Sequence, residues 1–101
     1  MPLSTLVVIA KINLHPGVLA QFLPVAAADA RDSLASEPGC IAFNILVPED
    51  DESYVVFHEV YRDRAAFDLH LTQPHFHNFE RDAGHLMIGK PEINFLNAYS
   101  N

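Results

Sequence analysis

Apolar residues crowd both alternating positions at the start of the chain: Leu6, Val8, Ala10 and Ile12 on one set, Val7 and Ile9 on the other. Successive side chains of a strand point to opposite faces, so residues 4–14 read as a strand that is apolar on both. Residues 17–36 switch to a helical period. Leu19, Phe22, Leu23, Ala26, Ala30 and Leu34 recur at spacings of three and four and form one stripe. Pro24 falls inside this stretch; lacking an N–H, it should kink the helix or mark its first turn. Residues 40–47 return to a strand pattern, with Ile41, Phe43 and Ile45 on one face and Cys40, Ala42 and Leu46 on the other. The acidic residues 49–52 make a turn. Residues 54–61 form a third strand, with Val55 and Phe57 opposite Val56 and Val60. Asp63 suits the N-cap of a short helix ending at His70. Pro74 suits the first turn of a helix over 74–87, whose stripe is Phe76, Phe79, Ala83, Leu86 and Met87. Residues 92–99 form the last strand. Gly and Pro punctuate the boundaries, as at His15-Pro16-Gly17, Pro38-Gly39 and Gly89-Lys90-Pro91.

The resulting order is βαββααβ. It predicts an α+β, ferredoxin-like subunit with an antiparallel sheet and helices gathered on one face. No linker or repeat divides the chain, so residues 1–101 read as one domain. The helices cover only one face of a sheet that is apolar on two. In a chain this short the simplest cover for the second face is another copy, which predicts a homodimer. Burying each large side chain there gains roughly 1.5–3 kcal/mol.

Composition narrows the function. Thirteen acidic and six basic residues give a formal charge of -7. No run of Lys or Arg supplies the footprint that nucleic acid needs. One cysteine, Cys40, forms no intramolecular disulfide. Residues 1–11 lack the basic start and long apolar stretch of a signal peptide, and the apolar run 6–10 is too short for a bilayer. The expectation is a cytoplasmic protein without membrane contact. No phosphate-binding glycine loop, nucleophile elbow or CxxC pair occurs, so no cofactor is expected.

Six histidines are the first candidates for chemistry. His70, His75 and His77 cluster around Thr72-Gln73-Pro74. His75 and His77 are two apart on a helix and point about 200° apart, a poor arrangement for a shared metal ion. No metal is expected, and His77, His15 and His85 read as surface groups. Glu59 is the more unusual residue. It sits on a largely apolar strand, and alternation puts it on one face with Phe57 and Tyr61. Such a carboxylate is costly to bury unless partnered, and burial drives its pKa towards neutrality. Beside a phenol and an imidazole in an apolar pocket it can take up and return a proton. Its structural alternative is to bind a helix terminus, Arg62 or Arg64. Asn44 offers an amide that can orient a substrate carbonyl or hydroxyl, or bond across strands. Cys40 has no base near it in sequence and reads as a packing residue.

Three stretches carry a family resemblance: His15-Pro16-Gly17; Glu37-Pro38-Gly39-Cys40; and Phe57-His58-Glu59-Val60-Tyr61 with Asp63, Ala65-Ala66-Phe67, His70 and Thr72-Gln73-Pro74-His75-Phe76. Together they resemble the antibiotic biosynthesis monooxygenase domain, including the small quinol monooxygenases. The resemblance implies a dimeric α+β barrel with a pocket in each subunit between sheet and helices. It implies oxidation of a quinol-like or polycyclic phenolic substrate by O2 without a cofactor. On this analogy Glu59, Tyr61, His70 and His75 are the catalytic set, with Phe57, Phe67, Phe76 and Asn44 around the substrate. Polyketide-oxidising members place a Trp at the position of Tyr61, an amide at that of Phe57 and a Tyr near Phe67; this chain has none of them. A second branch is similar to the enzyme that isomerises the phosphorylated autoinducer-2 signal, and implies proton shuttling on a hydroxy-ketone. A third reading is a small-ligand-binding dimer without catalysis.

Overall fold

The computed structural model describes residues 3–99, and side chains from residue 5 onward. Met1 and Pro2 of the N-terminal stretch read above, and residues 100–101, lie outside the described residues. The elements are β1 (Leu3–Asn13), α1 (Leu19–Ser36), β2 (Cys40–Leu46), β3 (Tyr54–Tyr61), α2 (Arg64–His70), α3 (Pro74–Ala83) and β4 (Glu92–Tyr99), with a 3-10 turn at Gly84–Leu86. The four strands pair antiparallel in the order β2-β3-β1-β4, and the element order is βαββααβ, a ferredoxin-like α+β fold.

Alternation fixes which side chains enter the core. On β1, Leu6, Val8, Ala10 and Ile12 are buried, while Val7 and Ile9 on the other face are half-buried. Register carries the same face onto β3, where Val8 pairs with Glu59 and Ala10 with Phe57. Val55, Phe57, Glu59 and Tyr61 are all buried there. Phe22 and Ala26 of α1 and Phe79 of α3 close the layer from above. Phe57 lies 6.1 Å from Phe22 and 5.7 Å from Phe79 between ring centroids, so an aromatic cluster joins sheet to helices.

Several boundaries differ from the sequence pattern for identifiable reasons. The pairing of β2 with β3 slips between Cys40 and Ala42. One extra residue resets the alternation, so Cys40 and Phe43 share the buried side while Ile41 is exposed. Helix α1 starts at Leu19 and runs through Pro24, which costs the chain only the bond to Ala20 near the helix start. Leu34, assigned to the apolar stripe, is 47% exposed, and Ser33 is the buried residue of that turn. Helix α3 stops at Ala83 and tightens into the 3-10 turn that begins with Gly84, a poor helix former. Asp63 caps α2 as expected, accepting a bond from the Ala66 N–H at 2.9 Å. Gly39 has no side chain to spare: a Cβ there would collide with the Ala66 Cβ, so α2 rests directly on the backbone ahead of β2.

Candidate active site

The sheet and helices enclose a cavity of about 560 Å³. Its walls are mostly apolar, from Val8 and Ala10 of β1, Phe43, Phe57, Phe67 and Phe79, with Phe76 also lining it. Polar groups in the wall are Asp29, Glu59 and His70, with Glu80 and Lys90 exposed at the edge. Edge strand β4 contributes Ile93. Next to it, Phe95 packs edge-on to Phe67 at 5.3 Å, with the Arg64 guanidinium 4.1 Å above its ring.

Glu59 occupies a strand position that alternation forces towards the helices, and it is 5% exposed. The Tyr61 hydroxyl, two residues along the same face, donates to Glu59 Oε1 at 2.6 Å. Neither Arg62 nor Arg64 reaches it: their ion pairs run to Asp63 and Asp68. Burial pushes the Glu59 carboxyl up to about 7; the Tyr61 bond offsets part of that, while Asp29 and Glu37 add to it. Burial and the Glu59 charge also push the Tyr61 phenol upward, so it remains a proton donor at neutral pH. Tyr61 itself is fully buried behind Glu59.

A second polar cluster lies on the helix side. His70, the last residue of α2, is 2% exposed and lies 5.6 Å from Tyr61 and 5.2 Å from Phe76 between ring centroids. Its Nδ1 meets Glu37 Oε2 at 2.9 Å. His75, in the first turn of α3, brings its Nε2 to the same Glu37 oxygen. Ser33 donates to the Asp29 carbonyl at 2.7 Å and also lies 3.4 Å from His70 Nδ1. Burial lifts the Asp29 carboxyl to about 6, against the downward pull of His70 and His75. Asp29, His70 and His75 each offer one nitrogen or oxygen, all within 4.8 Å of one another, a spacing a divalent ion can gather. Glu37 already holds a nitrogen of each histidine, so an ion there would have to displace those bonds.

The structure therefore brings Glu59, His70, Phe57, Phe67 and Phe76 together around the cavity, with Tyr61 behind Glu59 and His75 behind His70. Asn44 stands apart. It lies on the opposite face of β2 and bonds His58 Nδ1 at 3.2 Å, the cross-strand role rather than a pocket one. The same face keeps His58 away from the cavity. His77 is exposed beside Glu80 at 3.4 Å, and His15 and His85 are also exposed. Cys40 is buried, and burial pushes its thiol up to about 12, with Glu37 and Glu59 adding to the shift. That is the behaviour of a packing thiol.

Asp29, Ser33 and Glu37 were not among the sequence candidates. Their signal is the continuation of the α1 stripe: from Phe22 and Ala26, steps of three and four land on Asp29, Ser33 and, just past the helix, Glu37. Polar residues on a core-facing stripe need buried partners, and two histidines supply them.

Residues 5–82 match the family model described as antibiotic biosynthesis monooxygenase. The uncharacterized Synechocystis protein sll1783 is 33% identical over 88 residues, covering 87% of this chain and 59% of that protein. This chain thus spans under two thirds of the length of that curated relative. A Mycobacterium tuberculosis protein named "Putative monooxygenase Rv0793" is 32% identical over 90 residues, covering 78% of this chain and 86% of its own. A crystal structure from Caulobacter crescentus, titled as a "putative antibiotic biosynthesis monooxygenase", superposes with a TM-score of 0.89. It is 26% identical and the match covers 96% of this chain and 92% of that one. With the family model spanning most of its length and the sheet, helices and cavity arranged as described, this chain belongs to the antibiotic biosynthesis monooxygenase family.

Proposed function

We propose that the cavity is the active site of a monooxygenase that oxidises a quinol-like or polycyclic phenolic molecule with O2, needing no organic cofactor or metal. The observation that carries this reading is Glu59: a carboxylate with its pKa near 7, facing a cavity walled by aromatic rings. A base poised near the working pH takes the phenolic proton at least cost. The apolar walls then keep the phenolate dry while it reacts with O2. The substrate supplies all the electrons: one oxygen atom enters the product as a quinone or hydroxyquinone oxygen, and the other leaves as water. Tyr61 holds Glu59 in place by its hydroxyl, and His70 faces the same space. Residues 1–101 act as one such domain.

The functional unit in this proposal is a homodimer. Ile41, Leu46, Val47 and Leu96 are exposed, and Val7, Ile9, Val56 and Val60 on the sheet face away from the helices are only half-covered. A second sheet packed against them removes that surface from water.

The test is O2 consumption with a panel of quinols and polycyclic phenols in chelator-treated buffer. Uptake is expected, with Glu59→Gln slowing it by a factor on the order of 10²–10⁴. A wild-type protein that consumes no O2 with any of them overturns the proposal. Lys90, at the cavity edge, favours the hydroxy-ketone phosphate isomerase instead. The carboxylates of Asp29 and Glu59 in the same wall oppose a phosphate. Turnover of such a substrate under strict anaerobiosis would select the isomerase.

A further inference from the structure

The cavity is not the only opening beside the histidine cluster. A smaller cleft of about 170 Å³ lies between α1 and α3 on the outer side. His75, Asp32, Asn78 and Asp82 line it, and Asp29 lines both this cleft and the cavity. His70 lines the cavity, His75 lines the cleft, and one oxygen of Glu37 touches a ring nitrogen of each. The order from inside to outside is therefore cavity, His70, Glu37, His75, cleft. The other Glu37 oxygen, Oε1, is buried and has no partner among the described residues, so the two imidazoles are what this side chain is held by.

We propose that His70, Glu37 and His75 form a proton relay that connects the substrate cavity to solvent through the outer cleft, with Glu37 as its shuttle and Asp29 as the charge that steadies it. The proposal rests on the acid–base reading of the cavity. His70 has its Nδ1 on Glu37, so Nε2 is the nitrogen left for the cavity. In one transfer, Nε2 takes a proton from the cavity and Nδ1–H passes its proton to Glu37 Oε2. That oxygen hands the proton on to His75 Nε2, and His75 releases its Nδ1 proton to water in the cleft. Four N–H or O–H bonds form and four break along the chain, one proton crosses, and no electron moves. Return transfer resets the chain. Oxidation of a phenol by O2 takes protons from one atom and delivers them to another, and a relay lets a dry cavity release a proton early and recover it later. The neighbouring titratable groups are Asp29 of α1, Cys40 of β2, Glu59 and Tyr61 of β3, and Asp32, Arg81 and Asp82 at the cleft. The carboxylates among them favour a positive charge in transit.

Two measurements test this. In turnover, His75→Ala should lower kcat by tenfold or more with little change in KM, and free imidazole, which the cleft can admit, should restore most of it. Glu37→Gln should lower kcat similarly without rescue, because the amide fills the carboxylate's place inside the wall, passes no proton on and leaves no room for imidazole. A merely structural role predicts no imidazole rescue, and that result overturns the relay. The second measurement needs no substrate: exchange of the His70 ring N–H with bulk water, read by nitrogen-15 NMR. His75→Ala should slow it about tenfold and imidazole should recover it; an unchanged rate overturns the relay even where no substrate turns over. Should the alanine variant fail to fold, His75→Gln keeps the packing and the N–H but cannot pass a proton on, and the same slowing is expected.

Discussion

Glu59 and Glu37 are both almost wholly buried, at 5% and 4% exposed, yet the fold treats them in opposite ways. Glu59 is given one neutral donor, the Tyr61 hydroxyl, and aromatic walls. Its charge is left uncompensated, and its pKa rises to about 7. Glu37 is given two imidazoles, each able to carry a positive charge. The difference teaches that burial alone does not decide what a carboxylate does. A lone hydroxyl partner makes a base with a movable proton, whereas two histidines make a junction that fixes three elements, α1, α2 and α3, to one point.

Removing each carboxylate should separate the two cases most clearly. Glu37→Ala leaves two imidazoles buried around an empty site, and loss of one partner of a buried charged cluster costs about 3–5 kcal/mol. Urea unfolding should show that loss at pH 7; a change below about 1 kcal/mol would mean the cluster is not what ties the helices together. Glu59→Gln should act in the other direction. The carboxyl is protonated more readily in the fold, about 7, than at its ordinary value of 4.5. Its contribution is therefore full below about pH 4.5 and is lost as pH rises through 7. The Gln variant has no such loss, so it should match the wild type near pH 4 and exceed it by roughly 3 kcal/mol above pH 8. Parallel stability curves from pH 4 to 9 would contradict the assignment of Glu59 as the uncompensated group. Smallest of the three, Tyr61→Phe removes a single bond and should cost about 1–2 kcal/mol. Because that bond lowers the Glu59 pKa, its loss should also move the acid limb of the pH–rate profile upward; an unmoved limb would separate Glu59 from the rate-controlling ionisation.

Much of this contrast was legible in the chain before folding, but unevenly. Glu59 was readable because β3 alternates cleanly: Val55, Phe57, Glu59 and Tyr61 must share a face, and an acid among them is conspicuous. The Asp63 cap and the Pro74 helix start were readable from local chemistry alone. Glu37 was harder. It lies one residue past the end of α1, where the helical period is followed only by extrapolation, and its partners are 33 and 38 residues away. Asp29 and Ser33 are hidden because apolar residues define a core stripe, and Leu34 continues that stripe in spacing while lying exposed. Asn44 was drawn towards the pocket by a face assignment that the irregular pairing at Cys40 and Ala42 upsets. Interruptions of a strand leave little trace in composition, so faces are least certain just beyond them. The proposed homodimer rests on the same alternation that makes Glu59 conspicuous, and sedimentation of the purified chain would check it independently.

Gly39 carries a consequence beyond its own position. The backbone there touches Ala66, and no atom can be inserted between them. That contact is the mechanical stop against which the α2 helix seats, with Glu37 two residues on one side and His70 four residues along the other. A single added methyl group would act as a shim, lifting the imidazole away from its oxygen by a fraction of an ångström. The spacing between the imidazole and its carboxylate partner is thus set by a residue that bears no charge and no side chain, and the proposed relay can be detuned without altering any group in it.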